Sequence, residues 1–143
     1  MKQRHSPSRN FATAVLIGLT AICIPLSAQA PPAQLPGPGT ETVHSVAHVK
    51  RGMEARYAEL NAQSWAIYRK LDLVLAKPHV VLRGVDAAGL TYFVEVFTWK
   101  SPDIPDHAPP DVLAIWKQLE AVCEKRDGRP GIDFSEVTAL AID

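Results

Sequence analysis

The most informative segment of the chain is residues 79–99, which read HVVLRGVDAAGLTYFVEVFTW. Residues 79–83 and 91–99 are rich in β-branched and aromatic side chains, and this composition predicts two strands. Gly, Asp and Ala residues separate them, so a hairpin is the simplest connection. Alternation along the second strand places four side chains on one face: Phe93, Glu95, Phe97 and Trp99.

Upstream of this hairpin, the sequence predicts a strand followed by a helix. Residues 43–49, VHSVAHV, are rich in β-branched side chains and form the strand. His44, Val46 and His48 share one face of it, and the remaining residues share the other. Residues 53–71 carry apolar side chains at steps of three and four, which predicts an amphipathic helix.

Downstream of the hairpin, a loop, a helix and a strand are predicted. Residues 100–110, KSPDIPDHAPP, contain four prolines and form the loop. The helix begins near Pro110, and its last turn is expected to contain the basic pair 125–126, with Gly128 as the terminating residue. Residues 132–140 alternate between apolar and polar side chains, so they form the last strand.

The element order β-α-β-β-α-β predicts an α+β fold, the ferredoxin-like sandwich, over residues 41–143. Its four-stranded antiparallel sheet has the order 4-1-3-2 and carries both helices on one face. The other face needs a cover. Since Phe93, Phe97 and Trp99 are too large and apolar to face water, we expect the sheet of a second copy to cover them. The sequence therefore predicts a homodimer.

The N-terminus has the pattern of a secretory signal peptide over residues 1–30. A basic segment precedes an apolar run of about 16 residues, which is shorter than a membrane-spanning helix, and Ala28-Gln29-Ala30 supplies the small residues of a cleavage site. Residues 31–40, PPAQLPGPGT, form a Pro/Gly-rich linker. We therefore expect an exported protein, periplasmic or secreted, with no membrane segment after cleavage.

Charge and cysteine content exclude several classes of function. Lys+Arg and Asp+Glu number 15 each in the 143 residues. Cleavage after Ala30 removes three basic residues and no acidic one, which leaves a net charge of −3 and disfavours binding to nucleic acid. Cys123 is then the only cysteine, at an apolar helical position, and we expect a buried thiol that does not react.

The chain resembles the dimeric α/β-barrel superfamily, and within it the antibiotic-biosynthesis-monooxygenase-like proteins, over about residues 42–141. The resemblance is carried by VKRGME at 49–54, YFVEVF at 92–97, and His107 before the second helix. It implies two sheets paired in a homodimer. The superfamily includes cofactor-independent oxygenases, haem-degrading enzymes, isomerases and proteins without known activity. A strand Glu followed ten to twelve residues later by a His is frequent in it, and Glu95 and His107 occupy those places.

Glu95 is the first candidate for catalysis. A carboxylate placed between Phe93 and Phe97 is partly removed from water, which suits a general base. The alternative is a structural Glu paired with Arg83 or with a backbone group. An aromatic cavity around it is predicted to hold a small apolar or aromatic molecule. We expect its ligand-binding residues to be His44, Arg83, Phe93, Phe97 and Trp99.

Two histidines are predicted to assist Glu95, namely His48 and His107. His44 and His48 share a strand face about 13 Å apart at about 3.3 Å per residue, too far to bind one metal together. One of them can meet Glu95 across the central strands, or both can simply lie at the strand ends. His107 lies in a loop with Asp103 and Asp106, but no complete metal-ligand spacing is present.

The sequence leaves three functions open and identifies no cofactor. The first is an enzyme in which Glu95 moves a proton, with a monooxygenase-like or isomerase-like reaction implied by the resemblance. The second is a non-catalytic module that binds a ligand in the same cavity. The third is a structural homodimer in which side chains fill the cavity. Motifs for dinucleotide binding, nucleotide hydrolysis, serine hydrolysis and thiol redox chemistry are missing from the sequence.

Overall fold

The structure is a computed structural model that describes residues 36–138. The predicted signal peptide, the first half of the predicted linker and Leu140 lie outside the described residues. The elements are β1 (Glu41–His48), α1 (Glu54–Lys70), β2 (Val74–Val85), β3 (Thr91–Trp99), α2 (Pro110–Val122) and β4 (Ile132–Glu136). This β-α-β-β-α-β order confirms the ferredoxin-like α+β fold.

The four strands form one antiparallel sheet in the order β2-β3-β1-β4, which is the predicted order read from the other edge. The central strands β1 and β3 pair Ser45 with Glu95 and His44 with Val96. Because directly paired residues point to the same side of a sheet, this register assigns Ser45 and Glu95 to one face and His44 to the other.

The helices cover the sheet face that carries Phe93, Phe97 and Trp99. The ring of Tyr57 on α1 lies 4.7 Å from that of Phe93, centroid to centroid, and Tyr68 lies 5.8 Å from Phe97. The prediction that a partner sheet covers these aromatic residues was therefore wrong. Strand alternation separates two faces but does not say which one the helices cover, and both faces of β3 carry large apolar side chains.

The opposite sheet face, which we call the open face, carries an apolar patch from three strands. Its members are Val46, Val80, Leu82, Val94 and Val96. Val80 and Leu82 are 43% and 58% exposed. This face, and not the one carrying Phe93, is the surface that would need cover.

Strand β2 begins five residues earlier than predicted, before Pro78. The pairing with β3 shifts in register between Val74 and His79, and the Lys77-Pro78 peptide is cis. Since β2 is an edge strand with an irregularity at this point, a residue without an N–H is accommodated there. Pro78 therefore lies inside the strand.

Helix α2 ends earlier than predicted, at Val122, so the basic pair 125–126 is not in its last turn and Gly128 is not its terminating residue. Cys123 is extended and bridges to Val49, and the Arg126 guanidinium donates to the carbonyl oxygens of Val49 and Thr91. The residues after Val122 are therefore held by the bridge of Cys123 and the bonds of Arg126, and not by a further helical turn. Cys123 is buried and free, as predicted, and burial raises the pKa of its thiol to about 12.

Candidate active site

Glu95 lies at the middle of β3 and points between the sheet and the helices. It is only 6% exposed. Asn61 on α1 donates from Nδ2 to Oε2 of Glu95 over 2.8 Å, and Nε2 of His79 on β2 lies 2.9 Å from Oε1. Two elements on different sides of the carboxylate therefore fix its position, and each of its oxygens keeps a lone pair for a further donor.

His79 connects this buried carboxylate to the surface. Its side chain is 21% exposed, against 8% for that of Glu95. The indole of Trp65 stacks on the imidazole with ring centroids 3.6 Å apart and planes at 12°. The stack holds the imidazole in the orientation that brings Nε2 to Glu95, while the ring retains contact with solvent.

Two buried phenols stand next to Glu95 on the helix side. Burial, with the charge of Glu95 added, raises the pKa of Tyr57 well above its usual range. Burial also raises the pKa of Tyr68 to about 12, although the bond that its hydroxyl accepts from Trp116 Nε1 acts in the other direction. Both phenols therefore remain protonated near neutral pH and can donate or accept hydrogen bonds.

A cavity of about 60 Å³ opens beside the carboxylate. Such a volume holds a few waters or the end group of a larger molecule. Its lining comprises Ser45, Tyr57, Ser64, Tyr68, Glu95, Phe97, Trp116, Leu119, Glu120, Ile132 and Phe134. Glu120 and Phe134 are exposed, so the cavity reaches solvent beside them, between α2 and the edge strand β4. We call this end the mouth.

The structure brings together only some of the residues proposed from the sequence. Phe97 lines the cavity with Glu95, and Phe93 and Trp99 belong to the adjoining core. Arg83 is exposed and is not the partner of Glu95, since Asn61 and His79 take that place.

The three histidines predicted near Glu95 lie elsewhere. His44 and His48 pair with Val96 and Tyr92 on the open face, so the expectation that one of them meets Glu95 across the central strands was wrong. His107 is exposed in the loop before α2, where its Nδ1 lies 3.1 Å from the carbonyl oxygen of Asp103. In the part of the chain that the structure describes, no hydrogen bond links His107 to Glu95.

Sequence reasoning missed both partners of Glu95. Asn61 is a polar residue on a helix face whose other buried members are Tyr57, Leu60, Ser64 and Tyr68, and it is itself 6% exposed. That position was the available signal for Asn61. The sequence marked His79 less clearly. Alternation places His79, Val81 and Arg83 on one face of β2, but only the pairing with β3 shows that this is the face that carries Glu95.

Two kinds of feature are missing from residues 36–138, a metal-binding cluster and a membrane-spanning helix. No group of three or more His, Cys, Asp or Glu side chains in this range is arranged to hold a metal ion. Neither described helix combines the length and the apolar character that a membrane crossing requires.

Comparison with known proteins identifies solved structures with a similar fold. No protein-family model and no curated protein matches the chain. Among solved structures, SnoaB, a cofactor-independent oxygenase from Streptomyces nogalater, matches with a TM-score of 0.55 and 20% identity, over 73% of this chain and 96% of that one. An antibiotic biosynthesis monooxygenase matches with a TM-score of 0.52 and 16% identity, over 71% and 99%.

A third solved structure carries a different activity on a similar fold. The hydroxynitrile lyase from Passiflora edulis matches with a TM-score of 0.50 and 12% identity, over 74% of this chain and 100% of that one. Identities this low support likeness of fold and not of reaction. The resemblance predicted from the sequence is thus confirmed for the fold: the chain has the ferredoxin-like architecture of the antibiotic-biosynthesis-monooxygenase-like structures.

Proposed function

We propose that the protein is an enzyme in which Glu95 abstracts a proton from a small apolar or aromatic molecule bound in the cavity. One observation carries the proposal: a carboxylate that is 6% exposed lines an aromatic cavity and is held by Asn61 and His79. Burial of an ionisable group is costly unless the group is well paired, and such groups beside a cavity are frequent at active sites. Here it is both paired and accessible to a ligand.

His79 gives the proton a route out of the site. Glu95 takes the proton from the ligand, and the negative charge remains on the ligand. The proton then passes from Glu95 to Nε2 of His79 in the tautomer that leaves this nitrogen unprotonated, and the imidazolium so formed releases its other proton to solvent, because His79 contacts both. Asn61 and the Trp65 stack act as positioning residues, since they hold the carboxylate and the imidazole.

The reaction class is taken from the neighbours in fold. SnoaB is described as a cofactor-independent oxygenase. A ligand that has lost a proton at carbon is a candidate to react with O₂, or to regain the proton at another atom as in an isomerase. Both routes share the proton abstraction, so that step is the one to test.

Proton abstraction can be followed without knowing the natural substrate. We would incubate small aromatic ketones, beginning with 2-indanone, with the protein in D₂O and follow loss of the activated C–H signal by NMR. The wild type is expected to accelerate exchange over buffer, Glu95→Gln to abolish the acceleration and His79→Gln to reduce it. Glu59→Gln changes the same charge on the exposed face of α1 and serves as the control.

The rival function is a non-catalytic ligand-binding or structural module. It predicts that Glu95→Gln and the wild type exchange deuterium equally, with ligand affinity nearly unchanged in the variant. Deuterium exchange by Glu95→Gln at the wild-type rate would therefore contradict the proposed enzyme and support the binding module.

We also propose that the protein is an exported homodimer. The signal-peptide pattern of residues 1–30 supports export, and N-terminal sequencing of protein recovered from the exported fraction should begin at Pro31. The apolar patch on the open face supports a dimer in which two sheets face each other, because a patch containing Val80 and Leu82 is costly to leave in water.

A further inference from the structure

The charges around the cavity are of one sign. Glu95 lies at its inner end and Glu120 at its mouth. Among the described residues that line it, none is Lys, Arg or His. His79 reaches Glu95 but is not part of the lining. A ligand in the cavity therefore meets two carboxylates and no cationic side chain.

The carboxylate of Glu95 favours a ligand that carries a hydrogen-bond donor. Asn61 and His79 use one lone pair on each oxygen of Glu95, and the remaining lone pairs accept only from a donor. A carboxylate ligand could accept from the hydroxyls of Tyr57 and Tyr68, but its charge would lie beside the like charge of Glu95 in a poorly hydrated site. Burial raises the pKa of Tyr57 and of Tyr68, and the negative charge of Glu95 raises both further.

The walls favour a cation attached to an apolar body. The enclosed volume of about 60 Å³ accepts a small end group, while the rest of the molecule extends towards the mouth. Trp116 and Phe134 are among the residues that line the cavity, and aromatic faces attract organic cations as well as apolar surface.

We infer that the cavity selects ligands by charge: it accepts an aromatic or apolar molecule with an amine or hydroxyl end group and excludes the corresponding acid. This inference rests on the proposed function, because it names the class of molecule that the Glu95 cavity takes. It separates this chain's substrate from any acid of the same size and shape.

Three probes with the same ring test the selection: benzylamine, benzyl alcohol and benzoate. Each would be titrated into the ¹⁵N-labelled protein at neutral pH and constant ionic strength. The reporter is the Trp116 indole N–H, which lines the cavity and donates to Tyr68. We expect benzylamine to bind most tightly, benzyl alcohol next, and benzoate at least about tenfold more weakly than benzylamine.

A variant at the mouth isolates the charge from the fold. Glu120 is exposed on α2, so Glu120→Gln should leave the protein folded. We expect it to weaken benzylamine about two- to fivefold, as for one partly solvated ion pair, and to leave benzyl alcohol unchanged. Glu59→Gln, which makes the same change away from the cavity, should alter neither.

The outcomes separate this inference from the proposed function. Benzoate binding as tightly as benzylamine, with shifts at Trp116, would overturn the charge selection while leaving a ligand-binding cavity. Equal benzylamine affinity in Glu120→Gln and the wild type would show that the charge at the mouth does not contribute to the selection. If none of the three probes shifts the signals of the cavity residues at about 10 mM, the proposed function fails and the inference fails with it.

Discussion

The indole of Trp65 and the imidazole of His79 are stacked, with centroids 3.6 Å apart and planes at 12°. Trp65 follows Asn61 by four residues, so both project from the same side of α1. Asn61 bonds to one oxygen of Glu95, and the imidazole supported by Trp65 reaches the other. One face of α1 therefore fixes both partners of the carboxylate, one directly and one through the stack.

We expect this stack to be energetically coupled. Trp65→Leu removes the aromatic surface against which His79 packs, and His79→Gln removes the other ring. The loss of unfolding free energy in the double variant should be smaller than the sum of the single losses by about 0.5–1.5 kcal/mol. Urea unfolding of the four proteins measures this difference. Trp65→Phe should retain most of the coupling, whereas additive losses would show that the two rings are merely adjacent.

Asn61 is expected to stabilise the fold through its bond to Glu95. Asn61→Ala leaves a buried carboxylate oxygen without its donor, and a hydrogen bond to a charged group contributes about 1.5–3 kcal/mol. Urea unfolding should show a loss of that size. Gln63→Ala, on the exposed side of the same helix, should cost no more than about 0.5 kcal/mol. Equal effects of the two substitutions would contradict a special role for Asn61.

The fold was largely predictable because its signals are local. Alternation in residues 91–99, the helical spacing of 53–71 and the prolines of 100–110 each determine an element without reference to the rest of the chain. The helix-covered face was not predictable in this way. Both faces of β3 are apolar, and only the packing of Tyr57 and Tyr68 against Phe93 and Phe97 settles which is inside.

Glu95, at the centre of the candidate site, was predictable from the sequence, whereas its two hydrogen-bond partners were not. Glu95 is the one acidic residue in an apolar strand, so its own strand marks it. His79 is 16 residues away and Asn61 is 34 residues away, and their contacts depend on the register of β2 and on the position of α1 over the sheet. The histidines chosen in their place, His44 and His48, lie on the opposite face because Ser45 is the residue paired with Glu95.

Stability is expected to fall in alkaline solution through the buried phenols. The pKa of Tyr68 is raised to about 12 in the folded protein, mainly by burial, whereas the unfolded chain ionises near 10. The folded state thus keeps a proton that the unfolded state loses. The contribution is fully present below about pH 10 and is lost as the pH rises towards about 12.

Urea unfolding at about pH 9 and about pH 11 measures this loss, which should be of the order of 1 kcal/mol for each buried phenol. Tyr57 acts in the same direction, because its pKa is raised further. Tyr68→Phe should therefore reduce the alkaline loss and Tyr57→Phe should reduce it as well. If neither substitution changes the dependence on pH, the phenols are not the groups responsible.

The open face gives the last prediction. Leu82 is 58% exposed within the apolar patch of that face, and Leu113 is 53% exposed on α2. If two sheets pair through the open face, Leu82→Lys places a charge inside the interface, where it has no partner and loses hydration. Sedimentation equilibrium should then show a dimer for the wild type and a monomer for Leu82→Lys. Leu113→Lys adds the same charge on the helix side, and this variant should remain a dimer.

A monomeric wild type at about 10 μM would contradict the dimer, since an interface between two sheets of this kind should hold at that concentration. A dimer that survives Leu82→Lys but not Leu113→Lys would move the interface to the helices, and the apolar patch of the open face would then require another explanation.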